Sequence, residues 1–315
     1  MTTSVLRTAD GWWVRSGDTA ARIQTAATTT GELLRDRAAI ASAASGSGGG
    51  PRADVSSLTL LSPVTKPCRV VAQMTNFASH VRDAGMDPKT IPLTFFRKSS
   101  ASISGPFDAI VKPQHVRFLD YEVEIGLVIG RDIGVGTPIS DDGLADVIAG
   151  LVVTNDVSAR DVQLPQTQFY EAKSYPTFTP VGPELVLLDA AELARFPDLR
   201  LQLRVNGQPR QNALVAGDML YPPLKALQSL TRFQDLSAGD LILTGTPVGT
   251  ALSAPPKPIQ LISNLLPPAV KWKAFFKSQA SNPKYLHDGD TVEASVATDD
   301  HAIDLGTQRM TVSYS

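Results

Sequence analysis

DYEVEIGLVIG, residues 120–130, alternates polar and apolar side chains over its first half and is continuously apolar after that. The pattern predicts a β-strand whose second half is buried in the core. Glu122 and Glu124 would then point to the same face, roughly 6–7 Å apart along the chain. Two like charges on a half-buried strand require neutralisation, and a divalent cation with oxygen ligands, Mg²⁺, Mn²⁺ or Ca²⁺, would supply it. The alternative interpretation is a strand with a solvated acidic face.

Further strand and helix patterns lie on both sides of this segment. Apolar strand patterns occur at 146–153, 184–188 and 201–205, and Asn206-Gly207 predicts a hairpin turn after the last of them. Helical periodicity is clearest at 76–86 and 220–233, and a shorter helix is expected at 270–279. Strands and helices do not alternate regularly, which favours an α+β, sheet-dominated fold.

Composition divides the chain into two parts. Residues 1–64 are rich in Ala, Thr and Ser and include a Gly/Ser-rich loop at 45–51, so we expect a small N-terminal domain. Residues 65–315 carry most of the strand patterns and all of the candidate chemistry. Within them, 252–285 is an extended segment with a Pro-, Lys- and aromatic-rich composition, and we expect it to contain a short helix.

The charge balance and the scarcity of cysteine exclude several classes of function. A net charge of −2 offers no long-range attraction to nucleic acid or to an anionic membrane. One cysteine and four histidines exclude Cys-rich zinc sites and intrachain disulfides, so carboxylates would do most of the work of holding a metal. We find no signal peptide and no apolar run of about 20 residues, and we therefore expect a cytoplasmic protein.

Other candidate residues have ordinary structural explanations when each is taken alone. Asp156 ends an apolar strand, where an Asp commonly caps a helix, and Asp161 is expected to pair with Arg160. His80 and Asp83 lie three residues apart on one helical face, as in an oriented catalytic pair or an ordinary surface pair. Dinucleotide-binding, P-loop and nucleophile-elbow motifs are all missing from the sequence.

The order of these segments resembles the fumarylacetoacetate hydrolase family. The blocks that carry the resemblance are DYEVEIGLVIG, GLVVTNDVSARDVQ, KSYPTFTPVGPELV, VNGQPRQ and LSAGDLILTGTPVG. The resemblance implies a twisted β-roll catalytic domain and a homodimer. It also implies carboxylate ligands of Mg²⁺, or of Mn²⁺ or Ca²⁺, at Glu122, Glu124 and Asp156. The remaining roles that it implies are a catalytic histidine at His80, an active-site lysine at Lys173, and substrate contacts at Gln163 and Thr246.

Three positions depart from the family pattern. Phe77 stands where tyrosine is usual, Asp83 where glutamate is usual, and Pro176 where aspartate is common. The shorter Asp83 carboxylate bears directly on a water-activating His80–Asp83 pair.

From these features we expect a metal-dependent hydrolase that cleaves a C–C bond in a 1,3-dicarbonyl or acylpyruvate-like acid. His80, oriented by Asp83, would activate water, and Lys173 would stabilise the enolate leaving group. A decarboxylase, isomerase or hydratase of a 2-oxo acid is the alternative, because each of these reactions also passes through an enolate. A catalytically silent homologue is disfavoured, because all of the acidic candidates and Lys173 are present.

Overall fold

A computed structural model of the chain describes residues 2–167, 169–254 and 266–315. The strands are β1 Thr3–Thr8, β2 Gly11–Ser16, β3 Thr19–Arg22, β4 Arg52–Asp54, β5 Val70–Gln73, β6 Phe95–Lys98, β7 Ile103–Ser104, β8 Ile110–Lys112, β9 Leu119–Asp120, β10 Val123–Ile129, β11 Ile148–Asn155, β12 Ser158–Ala159, β13 Thr179–Pro180, β14 Leu185–Leu187, β15 Leu199–Val205, β16 Gln208–Leu214, β17 Leu241–Leu243, β18 Thr291–Thr298 and β19 Asp304–Tyr314. The helices are α1 Thr30–Arg35, α2 Arg37–Ala44, α3 Ala78–Asp83, α4 Leu144–Val147, α5 Arg160–Gln166, α6 Phe169–Ala172, α7 Ala190–Leu193, α8 Pro223–Leu230 and α9 Pro268–Gln279.

Two sheets dominate the molecule, which confirms the sheet-dominated α+β class. The larger sheet has ten strands in the order β4-β3-β2-β1-β14-β11-β10-β17-β5-β6, and the smaller has five in the order β16-β15-β18-β19-β8. Within these two sheets, neighbouring strands are antiparallel except at β17–β5 and β19–β8, which are parallel. Among the described residues, every helix is too short or too polar to cross a lipid bilayer.

The predicted central strand forms β10, and every residue in it is buried. Its side chains alternate between two cores: Val123, Ile125, Leu127 and Ile129 pack into one cluster, while Val128 packs into another. Strand β11 pairs antiparallel with β10 and is equally buried. Because both strands are covered on both faces, the carboxylates where β10 begins and β11 ends are also buried: Glu122, Glu124 and Asp156.

The turn and helix predictions hold with small shifts in their boundaries. Asn206-Gly207 joins β15 to β16, with φ of 52° and 74° at the two turn residues. The helices predicted at 76–86, 220–233 and 270–279 form α3, α8 and α9. Residues 255–265 of the predicted 252–285 segment lie outside the described residues.

The N-terminal strands extend the larger sheet. Strand β1 pairs with β14, so that Thr3 lies opposite Leu187, and β2 to β4 follow on the outer side. The division of the chain at residue 64 stays a prediction.

Candidate functional site

The three predicted metal ligands meet where β10 begins and β11 ends. Antiparallel pairing sets Val123 opposite Asn155, and the N–H of Asp156 donates to the carbonyl of Glu122 at 2.8 Å. Oxygen atoms of Glu122, Glu124 and Asp156 all lie within 4.8 Å of one another. The exposed fractions of the three residues are 4%, 1% and 1%, so water shields little of their mutual repulsion.

Buried cations offset two of these carboxylates. Lys173 Nζ donates to Glu122 Oε2 at 2.7 Å and to Asp156 Oδ2 at 2.5 Å. Lys98 pairs with the other oxygen of Asp156, and Arg160 pairs with the other oxygen of Glu122. Burial alone would raise the pKa of Glu122, but Arg160 and Lys173 outweigh it and lower that pKa to about 2.

Glu124 is the carboxylate that lacks a cationic partner among the described residues. Its Oε2 accepts a hydrogen bond from the N–H of Gly245 at 2.7 Å. Burial and the charges of Asp156 and Glu122 raise the pKa of Glu124 well above its usual range. Additional positive charge at the site would therefore favour the ionised form of Glu124.

The acidic triad fits a divalent cation. Converging carboxylate oxygens are the donors that Mg²⁺, Mn²⁺ and Ca²⁺ prefer. The triad also offers more negative charge than Lys98, Lys173 and Arg160 offset, because Asp120 takes part of the charge of Arg160.

His80 lies on α3 and faces the same charges. Burial lowers its pKa; Glu122 opposes that shift, while Arg160 and Lys173 add to it. Its Nδ1 is buried and has no hydrogen-bond partner among the described residues. The expected pair with Asp83 is therefore not formed: the contact seen for Asp83 is its main-chain carbonyl, which accepts from Ala254 N at 3.0 Å.

The two predicted substrate-binding residues are buried and bonded to other side chains. Gln163 Oε1 accepts from Arg160 Nη1 at 2.8 Å. Thr246 Oγ1 donates to the Val123 carbonyl at 2.8 Å and accepts from Gln211 Nε2 at 2.8 Å. Both are part of the wall around the carboxylates, and their substrate contacts stay predictions.

Sequence reasoning missed three residues of this charge cluster. Lys98 ends β6, and Asp120 and Arg160 pair through Oδ2 and Nε at 2.8 Å. Lys98 ends a strand that begins with Phe95 and Phe96, and this aromatic setting is the one local signal that could have drawn attention to it. Asp161 does not pair with Arg160 as expected, because its carboxylate accepts main-chain N–H groups. Asp156 does not cap α5, whose N-cap is Ala159.

Comparison with known proteins agrees with this geometry. The family model described as fumarylacetoacetate (FAA) hydrolase C-terminal matches residues 69–313. The mitochondrial oxaloacetate tautomerase Fahd2a of Rattus norvegicus is 35% identical over 202 residues, which cover 64% of this chain and 62% of that protein. The oxaloacetate tautomerase YisK of Bacillus subtilis is 34% identical over 208 residues, which cover 64% of this chain and 67% of that protein. The chain thus spans less than two thirds of the length of the rat relative.

Several solved structures are similar over the whole chain, and one of them is 30% identical to it. That structure is described as a probable 2-hydroxyhepta-2,4-diene-1,7-dioate isomerase from Mycobacterium abscessus, with a TM-score of 0.75. The match covers 100% of this chain and 99% of that one.

The expectation of a hydrolase acting on carbon–carbon bonds is wrong. These relatives are named as tautomerases and isomerases, although the family takes its name from a hydrolase. A tautomerase moves a proton and needs no activated water, which agrees with the unformed His80–Asp83 pair. The length of the family match, together with the converging acidic triad, establishes that this chain belongs to the fumarylacetoacetate hydrolase family.

Proposed function

We propose that the protein is a divalent-cation-dependent isomerase that interconverts the keto and enol forms of a small 2-oxo acid such as oxaloacetate. The observation that carries the proposal is the buried acidic triad, closed by Lys173 and Arg160, in a chain similar to oxaloacetate tautomerases. In this reaction one proton leaves the carbon next to the carbonyl and one proton is added to the carbonyl oxygen.

The charge count of the site favours an anionic substrate. The buried carboxylates of the site are Asp120, Glu122, Glu124 and Asp156, and its buried cationic side chains are Lys98, Arg160 and Lys173. With all seven groups ionised, four negative and three positive charges sum to −1, and a bound divalent cation changes the sum to +1. A carboxylate substrate would then be attracted by the site itself, although the chain as a whole has a net charge of −2.

His80 is our candidate for the group that moves the proton. Its lowered pKa keeps the ring neutral at pH 7, as a base requires, and its Nδ1 has no competing partner among the described residues. Lys173 would hold positive charge beside the developing enolate. Burial opposes that charge, but Asp156 and Glu122 outweigh it and raise the pKa of Lys173.

A divalent cation held by Glu122, Glu124 and Asp156 would supply Lewis acidity toward a substrate carbonyl. We assign Mg²⁺ or Mn²⁺ to the site, with Ca²⁺ as a third candidate. Asp83 stays outside this proton transfer, because its carboxylate does not meet the His80 ring.

The test is to add the protein with Mg²⁺ to freshly dissolved oxaloacetate and to follow the ultraviolet absorbance of the enol. We expect the keto–enol equilibrium to be reached faster than in buffer, with total oxaloacetate unchanged. His80→Ala should abolish the acceleration, while His287→Ala, at a histidine whose side chain is 64% exposed, should keep it. An unchanged relaxation rate would contradict the proposal, and release of CO₂ would indicate a decarboxylase instead.

A second candidate substrate is a longer unsaturated diacid. The Mycobacterium abscessus structure, described as a probable diene-dioate isomerase, is similar over the whole chain, whereas the alignment with the rat tautomerase covers 64% of it. Double-bond migration in such a diacid is also a proton transfer next to a carbonyl. Incubation with 2-hydroxyhepta-2,4-diene-1,7-dioate, followed by product identification, distinguishes the two substrates.

A further inference from the structure

Asp120 is a buried carboxylate outside the acidic triad, and it accepts four hydrogen bonds. Its Oδ1 accepts from the N–H groups of Tyr121 at 2.8 Å and Ala251 at 2.7 Å. Its Oδ2 accepts from Leu252 N at 3.1 Å and from Arg160 Nε at 2.8 Å. The residue is 0% exposed, so this carboxylate is held in one position by main chain on two sides and by a guanidinium on a third.

The same guanidinium reaches two candidate site residues. Its Nη2 pairs with Glu122, and its Nη1 donates to Gln163 Oε1 at 2.8 Å. Burial opposes the charge of Arg160, but Glu122 and Asp120 outweigh it and raise the pKa of the guanidinium. Arg160 is therefore a permanent cation, and its contact with Asp120 sets the orientation of the guanidinium. The other two nitrogens of that guanidinium then orient Glu122 and Gln163.

Residues 245–254, which we call the site loop, connect Asp120 to the helix that carries His80. At one end of α3, Val248 N donates to Ser79 Oγ at 3.2 Å. At the other end, Ala254 N donates to the carbonyl of Asp83 at 3.0 Å. The loop residues that Asp120 holds thus lie between two contacts to α3.

We propose that Asp120 is a positioning residue of the active site. Through Arg160 it fixes Glu122 as a cation ligand, and through the site loop it fixes α3 relative to the acidic triad. The first role concerns cation binding, and it is tested without any substrate. The second rests on the proposed function, because it predicts an effect on turnover.

The test is Asp120→Asn, which keeps the size of the side chain but replaces one acceptor oxygen by an NH₂ group that faces donors. The metal-free variant is titrated with Mn²⁺ alone, and free Mn²⁺ is read by electron paramagnetic resonance. We expect the Kd for Mn²⁺ to rise about tenfold or more, as is typical when the partner of a metal ligand is removed. The proposal would be overturned if the Kd stayed within about twofold of that of the unmodified protein, because loss of such a partner typically weakens metal binding far more.

Asp161→Asn is the matched control. Asp161 adjoins Arg160 in sequence, and its carboxylate accepts main-chain N–H groups of Arg117 at 2.9 Å and Phe118 at 3.1 Å. The substitution removes the same charge and disturbs a similar set of main-chain bonds, but it does not touch the guanidinium. Its Mn²⁺ affinity should equal that of the unmodified protein. An equal loss in both variants would assign the effect to local stability and overturn the proposal.

Arg160→Lys tests the guanidinium bridge between Asp120 and Glu122 at its centre. This variant tests the bridge if Asp120→Asn does not fold. Lysine keeps the charge but cannot bridge Asp120, Glu122 and Gln163 at once. We expect a similar loss of Mn²⁺ affinity, and unchanged affinity would contradict the bridge.

Turnover tests the role of the site loop separately. At saturating Mn²⁺, Asp120→Asn should still show a kcat about tenfold lower in the tautomerase assay, with a much smaller change in KM. Full recovery of kcat at saturating ion would overturn the contribution through α3. If the unmodified protein binds Mn²⁺ but does not accelerate tautomerisation, the proposed function fails, while the binding result still decides the role of Asp120 toward Glu122.

Discussion

Glu122 and Glu124 are separated by one residue, yet they differ in pKa because their neighbours differ. Arg160 and Lys173 both contact Glu122, whereas a main-chain N–H contacts Glu124. The pKa of Glu122 is accordingly lowered to about 2, and that of Glu124 is raised well above its usual range. Of the three carboxylates, Glu124 is therefore the one whose ionised form the metal-free site disfavours.

Substitution by glutamine should therefore affect these two residues differently. Glu124→Gln removes a charge that burial, Asp156 and Glu122 disfavour, so the free energy of unfolding of the metal-free protein should fall by less than about 1 kcal/mol. Glu122→Gln leaves Arg160 and Lys173 partly unpaired and should cost about 3–5 kcal/mol. Urea denaturation measures both values, and equal losses would contradict the opposite pKa shifts of the two carboxyl groups.

His80 should impose an acidic limb on the pH profile of turnover. A base acts in its neutral form, so activity is present above the pKa of the group and is lost as the pH falls through it. Because burial lowers the pKa of His80 below the ordinary 6.5, the midpoint of that limb should lie below 6.5. The profile of kcat/KM measures this midpoint, and a value at or above 6.5 would remove His80 from the role of base.

At the scale of the structural element, the conformation of the site loop depends on Gly249. Gly249 has φ of +113°, and a Cβ there would lie 2.0 Å from the main-chain oxygen of Arg210. Gly249→Ala should therefore cost about 1–2 kcal/mol for the left-handed backbone and about 1–3 kcal/mol for displacing the neighbouring strand. Gly207→Ala is the control, because φ is +74° there and nothing lies within 4 Å of the added Cβ.

Denaturation and Mn²⁺ titration of both glycine variants test this prediction. Gly207→Ala should show the backbone cost alone and unchanged Mn²⁺ affinity. Gly249→Ala should show the larger loss of stability together with weaker Mn²⁺ binding, since the site loop contacts Glu124 and Asp120. Equal effects of the two substitutions would contradict the steric argument.

At the scale of the whole molecule, cation binding should stabilise the fold. The carboxylates converge only when β10 and β11 pair, so the folded protein binds the ion and the unfolded chain does not. Mn²⁺ at about one hundred times its Kd should raise the free energy of unfolding by about 2.7 kcal/mol. Thermal melting with and without EDTA measures the gain, and Glu124→Gln should lose it. A gain that persists in this variant would place the ion elsewhere.

The homodimer expected from the family resemblance stays a prediction. Light scattering of the purified protein should give twice the chain mass of 33.6 kDa. A mass of 33.6 kDa would contradict it. The cytoplasmic compartment also stays a prediction, and the rat relative is named as mitochondrial.

The sequence by itself determined the class of fold, the central strands and the acidic triad. Hydrophobic runs and turn residues are local properties, so β10, β11 and the Asn206-Gly207 hairpin follow from short segments. The triad was predictable because Glu122 and Glu124 lie where one strand begins and Asp156 follows the end of another. The family resemblance then implied that all three residues are metal ligands.

Only the tertiary structure decided which groups meet those carboxylates. Lys98 and Lys173 reach Asp156 from positions 58 and 17 residues away. Asp120 reaches the site loop across 131 residues. Partnerships of this kind depend on how sheets and loops pack, and no local pattern encodes them. For the same reason the spacing of His80 and Asp83 on one helix was insufficient: sharing a helical face allows two side chains to meet, but the surrounding packing decides whether they do.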